Sequence, residues 1–272
     1  MSSHAAGEGP AERTAGDGWE IARPAPDPSL GGVAMAGYRD RTGGPFDLRV
    51  LPQPAVIVVL GLGDALFTVD GGAGPPRPVR SLVAPLAPGA ARIRSERVRC
   101  IEMRLSPAAA HTLLGASLRE LDGTVAPLED LWGKRERLLL ERIADTAVWS
   151  ERFSLVNRFL ADAAARGPRT APEVAAAWEH IVARGGRVRV ADLAASCGWS
   201  RKRLWSRFTA QTGLTPKRAA MLVRFDRAAR ALRAGADASD VASACGYADQ
   251  SHLHRDVTAF AACTPAALAA LP

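Results

Sequence analysis

One block of helical grammar occurs twice in this chain, 48 residues apart, and it constrains the C-terminal part more than any other feature does. The first copy reads Leu193-Ala194, Cys197-Gly198 and Trp199; the second reads Val241-Ala242, Cys245-Gly246 and Tyr247. Two helices that cross closely need a small residue at the crossing, which Ala194 and Ala242 supply. The turn between them needs a residue that tolerates positive φ, which Gly198 and Gly246 supply. Leu193, Cys197, Trp199, Leu204 and Phe208 give the apolar contacts that lock one helix on the other. The next core leucine lies six residues after Gly198 (Leu204) and seven after Gly246 (Leu253), so the second turn is expected to be one residue longer. One such pattern is common in helical hairpins. Two in tandem predict a pair of helix-turn-helix units.

Between the copies runs a helical segment with Thr215 as N-cap, Pro216 at the first helical position and Gly235 just past the end. About twenty residues at 1.5 Å each make a rod of ~30 Å. Successive major-groove faces on one side of B-DNA are ~34 Å apart. The charge agrees with a polyphosphate partner. Residues 169–272 hold 15 Lys+Arg against 8 Asp+Glu, whereas residues 1–168 hold 20 of each. From Trp199 to Arg233 there are ten Lys+Arg and one acid, Asp226. Phosphate contact is therefore expected on this stretch. Arg201, Lys202 and Arg203 open the helix that follows the first turn, where side chains meet base edges and phosphates.

The N-terminal part has another texture. Residues 1–18 are small and polar and are expected to form a disordered tail. From Trp19 to Leu105, short apolar runs (55–60, 65–69, 81–86, 98–105) alternate with Pro and Gly clusters, and Gly61–Asp64 reads as a hairpin connection. Ser106-Pro107 starts a helix running to about 121, and Glu129 to about Asp162 reads as two more. Phe153, Val156 and Leu160 form one apolar stripe, either core or dimer seam. Arg166–Arg169 is the expected domain boundary, and Thr170-Ala-Pro-Glu173 reads as a capping box opening the next helix. The predicted fold is α+β. A small antiparallel β-barrel or sandwich with following helices occupies 19–166, and an all-α domain with two helix-turn-helix units joined by a long helix occupies 170–272.

Several functions are disfavoured by what is missing. Residues 19–105 contain no histidine, so a metal-dependent barrel enzyme is not expected. His252 and His254 lie two apart on a helix and point to opposite sides, and Gly61-Leu-Gly63 lacks the third glycine of a dinucleotide loop. Cys100, Cys197, Cys245 and Cys263 form no zinc or disulfide spacing. No cofactor, metal, signal peptide or membrane span is expected, and the chain reads as cytoplasmic. Arg92, Arg94, Arg97, Arg99 and Arg104 cluster on the late strands, as a solvated face or a site for an anionic effector. Two alternatives stay open: a redox- or alkylation-responsive regulator in which Arg97 and Arg99 lower the pKa of Cys100, and a nucleoid-type binder without sequence preference.

Residues 173–270 resemble the AraC/XylS family of bacterial transcription regulators. The resemblance rests on Asp192-Leu-Ala, on Gly198-Trp-Ser-Arg-Lys-Arg-Leu-Trp-Ser-Arg-Phe208 and on Gly213-Leu-Thr-Pro-Lys217. Arg224, Ala228 to Leu232, the run from Cys245 to Arg255, and Cys263-Thr-Pro265 complete it. Val257, Ala219 and Leu268 depart from it where an aromatic is usual. The resemblance implies recognition helices over about Ser200–Thr212 and Asp249–Phe260. Carried over by position, the DNA-facing candidates are Lys202, Trp205 and Ser206 in the first, beside Arg201 and Arg203 at its start, with Gln250, Ser251, His252 and Arg255 in the second. The N-terminal half is similar in element order to the cupin-like sensor domain of such regulators. The partners implied are double-stranded DNA, a small-molecule effector and RNA polymerase, with the chain acting as a homodimer or monomer.

Overall fold

The computed structural model describes residues 13–15, 18–70, 76, 78–86, 91–115, 121 and 123–271. The N-terminal half holds two antiparallel sheets. The strands are β1 (Arg13–Ala15), β2 (Trp19–Ala22), β3 (Val33–Asp40), β4 (Phe46–Val50), β5 (Val56–Gly61), β6 (Phe67–Asp70), β7 (Pro78–Val79), β8 (Ser81–Ala84), β9 (Ala91–Ser95), β10 (Arg99–Leu105) and β11 (Ala126–Pro127). The larger sheet has the order β1-β2-β3-β10-β5-β8-β11 and the smaller β4-β9-β6-β7.

Side-chain alternation explains the layering. Along β5, Val56, Val58 and Leu60 belong to one apolar core, while Ile57 and the half-buried Val59 belong to another. In β10, Ile101, Met103 and Leu105 join the first core and Cys100 the second. Successive side chains point to opposite faces of a strand. The large sheet is therefore covered twice, by the small sheet on one face and by helices on the other, which is why β5 and β8 read as nearly unbroken apolar runs.

The structure selects between the two expected β architectures. Among the described strands no ladder joins the two sheets, so the half is an open sandwich and not a closed barrel. The small sheet is held by side-chain burial, with Phe67, Ala91 and Ile93 packed on Ile57, Leu82 and Ala84. Gly61–Asp64 is not a hairpin connection. It carries the chain from β5 in one sheet to β6 in the other, and its amides are taken elsewhere: Gly61 N donates to Arg80 O and Leu62 N to Arg99 O. Of the expected tail, residues 13–15 add a strand at the edge of β2, whose open backbone groups they satisfy; 1–12 and 16–17 lie outside the described residues.

The helices are α1 (Pro107–Leu114), α2 (Glu129–Trp132), α3 (Lys134–Ala144), α4 (Trp149–Arg166), α5 (Pro172–Ala183), α6 (Val190–Ser196), α7 (Arg201–Thr212), α8 (Pro216–Arg233), α9 (Ala238–Cys245), α10 (Gln250–Ala261) and α11 (Pro265–Ala269). Ser106 caps α1 as expected, accepting from Ala109 N at 3.2 Å; the helix ends at 114, and 116–120 lie outside the described residues. The stretch 129–166 is three helices where two were expected, because the chain breaks at Gly133 (φ 53°). Phe153, Val156 and Leu160 are all buried in the chain's own core, which removes them as a dimer seam.

The capping box at Thr170–Glu173 does not form. Ala171 occupies the N-cap without a side-chain bond; the Thr170 hydroxyl instead donates to Ala108 O of α1 at 3.1 Å. The Gln211 side chain of α7 takes over by accepting from Ala171 N at 3.0 Å. The apolar core runs unbroken between the halves, with α1 seated against α5 and α7. No described helix is long and apolar enough to cross a membrane, and no described group of His, Cys, Asp or Glu side chains is placed to hold a metal ion.

Candidate nucleic-acid interface

The repeat seen in the sequence is a repeat in geometry. Gly198 (φ 64°) and Gly246 (φ 77°) both sit in the left-handed region. In each turn the following aromatic closes back on the crossing alanine: Trp199 N donates to Ala194 O at 2.9 Å, and Tyr247 N to Ala242 O at 2.9 Å. Ala194 and Ala242 are buried at the crossings. The N-caps of the next helices are Ser200, which accepts from Arg203 N at 3.2 Å, and Asp249, which accepts from His252 N at 2.7 Å. Ala248 is the extra residue that lengthens the second turn; Leu204 and Leu253 nevertheless fall at the same helical position, the fourth.

Each of these helices divides into two faces. In α7, Leu204, Phe208 and Thr212 recur every four residues and are buried, with Phe208 stacked near Trp178 at 6.4 Å. Arg201, Lys202, Arg203, Trp205, Ser206 and Arg207 are exposed, Trp205 by 54%. An indole that open is available to a partner and is not core. Arg203 lies 4.7 Å over the Trp199 ring, which holds its guanidinium beside the turn. In α10, Leu253, Asp256, Val257, Phe260 and Ala261 face inward, and Gln250, Ser251, His254 and Arg255 face outward. Arg255 Nε donates to Ser251 O at 3.3 Å, leaving its terminal nitrogens outward. His252 is half-buried, its ring set edge-on to Tyr247 at 5.2 Å, so it braces the turn.

Helix α8 joins the units, capped by Thr215 accepting from Arg218 N at 3.2 Å. Its 18 residues correspond to a rod of ~27 Å, slightly shorter than the sequence suggested. Ala219, Val257 and Leu268, which depart from the family pattern, are fully buried here. Phe225 of α8 stacks on Phe260 of α10 at 5.0 Å, and the Arg218 guanidinium also lies over that ring at 3.9 Å. Arg224 forms a buried ion pair with Asp256 at 2.9 Å and lies 4.5 Å over the Tyr247 ring. Asp256, the acid within α10, is thus consumed inside the domain. Asp226 of α8 is paired by Arg230 at 2.6 Å. The outward faces of α7 and α10 carry cations and neutral donors.

Three features escaped the reading of the sequence. Nothing local in the sequence marks Asp256, because its partner lies 32 positions away. Arg184, Arg187 and Arg189 line a cleft of about 650 Å³ between the two units, together with Arg224 and Asp192. Arg207 is a third omission, exposed on α7 one turn after Arg203.

The reactive-thiol reading of Cys100 does not fit. Cys100 is buried between the sheets, and burial pushes its thiol up to about 12, with Glu102 adding to the effect. Arg97 is engaged by Asp64 at 2.7 Å. Arg99, one residue along the strand from Cys100, faces the opposite side of the sheet.

A family model described as a helix-turn-helix domain matches residues 193–270. No curated protein sequence matches the chain. Among solved structures, the chain is similar to the C-terminal domain of AraT, a response regulator from Geobacillus stearothermophilus. The two are 17% identical over 38% of this chain and 87% of that one, with a TM-score of 0.35. ToxT from Vibrio cholerae O395 is 10% identical over 87% of this chain and 96% of its own, with a TM-score of 0.45. The AraC-like transcriptional activator CuxR is 14% identical over 78% and 82%, with a TM-score of 0.36.

Proposed function

We propose that this chain is a DNA-binding transcription regulator that reads a specific duplex site by inserting α7 and α10 into adjacent major grooves, a reading that the helix-turn-helix match over residues 193–270 supports. The observation that carries this reading is the duplicated turn. Two identically closed hairpins, braced on one helix, each present an outward helix face free of unpaired acids. Phosphate contacts fall to Arg201, Lys202, Arg203 and Arg207, and to the cleft arginines Arg187 and Arg189, which supply the sequence-independent part of the affinity. Base reading falls to Trp205 and Ser206 of α7, and to Gln250, Ser251 and Arg255 of α10; a glutamine pairs bidentately with adenine and an arginine with guanine.

Two contacts support an influence of the N-terminal half on both units. Helix α1 packs on α7, and Arg49 of β4 donates to the carbonyl of Ala261 at the end of α10. In this reading a change in the sandwich alters how the two units present themselves to DNA.

The test is Arg255→Ala measured against a selected site and a random duplex at one salt concentration. Specific binding is expected to weaken by ~1–3 kcal/mol, with little change for random DNA. Equal losses on both duplexes would remove Arg255 from base reading and leave it a phosphate contact.

A further inference from the structure

The arginine cluster on the late strands separates into two kinds of residue. Arg92 pairs with Asp47 at 2.5 Å, Arg94 with Asp70 at 2.7 Å and Arg97 with Asp64 at 2.7 Å, while Arg104 lies 3.8 Å from Glu102. Arg99 makes no ion pair or side-chain hydrogen bond among the described residues, and its Nε is buried without a partner. It faces the helix side of the large sheet, in step with Ile101 and Met103.

Two more arginines converge on the same place. Arg39 of β3 stands directly opposite Arg99 in the strand register. Like charges in that arrangement repel. Above them α4 brings down Arg152, which is 3% exposed, lies 5.0 Å from the Trp149 ring and likewise has a buried Nε with no partner. Burial, and then the charges of Arg99 and Arg39, hold the Arg152 guanidinium below its ordinary pKa. Trp149 lies so close on Gly37 that a Cβ there would meet its ring at 2.4 Å, which fixes α4 flat against the strands. The acid at this place is Glu20, and it is already shared. It accepts from Trp149 Nε1 at 2.7 Å and from Arg41 at 3.0 Å, with Arg39 at 3.8 Å. Arg39, Arg41 and Arg152 thus share one carboxylate, while Arg99, beside Arg152 and opposite Arg39, has none. The first turn of α4, which points its amides toward this end of the helix, has no side-chain cap.

We propose that Arg39, Arg99 and Arg152, beneath the first turn of α4, form a binding site for a phosphate group, carried by a free phosphate or a phosphate monoester. A doubly charged tetrahedral anion matches the excess of charge, and guanidinium forks grip it in bidentate fashion. The open side lies at Arg39 and Arg41, both about half exposed. Binding at this site stands apart from the DNA reading; only its use as a signal rests on that reading.

The experiment is thermal unfolding of the full chain in sodium phosphate, in glycerol phosphate and in sodium acetate, each against sodium chloride at equal ionic strength. Saturating phosphate or monoester is expected to raise the midpoint by about 5 °C, and acetate to leave it near the chloride value. Whichever of the two phosphate compounds acts at the lower concentration identifies the form of the ligand. The Arg39→Gln and Arg99→Gln chains should lose most of that rise while binding duplex DNA as the parent does. Arg39→Gln is an exposed change that leaves folding intact. A rise of equal size in the variants would place the anion on the arginines of the C-terminal half and overturn the proposal. So would an equal response to acetate, or no response to any anion.

Discussion

Replacing Asp256 with alanine is expected to cost about 3–5 kcal/mol of stability, because it leaves the mostly buried Arg224 guanidinium without its carboxylate. The two side chains are 7% and 15% exposed and 2.9 Å apart, so solvent screens the pair little. Arg224 also stacks on Tyr247 and cannot swing out without leaving that ring. Urea unfolding followed by circular dichroism reads the loss directly. Asp256→Asn keeps an acceptor and should lose less. Adding Arg224→Met to Asp256→Ala should restore part of the stability, since the penalty lies in the unpaired charge more than in the absent pair. A loss under about 1 kcal/mol would mean that the pair behaves like a surface bridge and does not anchor α10 to α8.

The second large effect concerns salt. Converting Arg201, Lys202 and Arg207 together to alanine should flatten the dependence of log affinity on log salt by roughly 3, at about 0.9 for each phosphate that is no longer neutralised. All three side chains are exposed on α7, so the unfolding midpoint should stay where it is. Arg203 is left in place because its guanidinium lies on Trp199 and takes part in the turn. Fluorescence anisotropy over a salt series measures the slope. An unchanged slope would take α7 off the DNA backbone.

What the chain disclosed in advance was mostly local. Ser106 and Thr215 announce helix starts because a hydroxyl three residues before an amide is a self-contained arrangement, and both caps are made. The paired turns were readable for the same reason: Ala194, Gly198 and Trp199 act on one another within six residues. The failures are tertiary. Thr170 has the sequence of a cap, but the Ala108 carbonyl, 62 residues away, takes its hydroxyl. The runs around Gly61–Asp64 alternate like a hairpin, yet spacing alone does not say that their partners are β10 and β8 on one side and β9 and β7 on the other. Asp256, Arg99 and Arg152 acquire their meaning only from residues that folding brings to them.

The two-helix account is tested most directly by hydroxyl-radical footprinting of the full chain on a duplex selected from a random pool, with the bound stoichiometry determined alongside. One chain should protect two patches on the same side of the duplex, about 10 base pairs apart. The Arg201/Lys202/Arg207 variant should weaken one patch and Arg255→Ala the other. A single patch per chain, or patches on opposite sides of the duplex, would contradict the account.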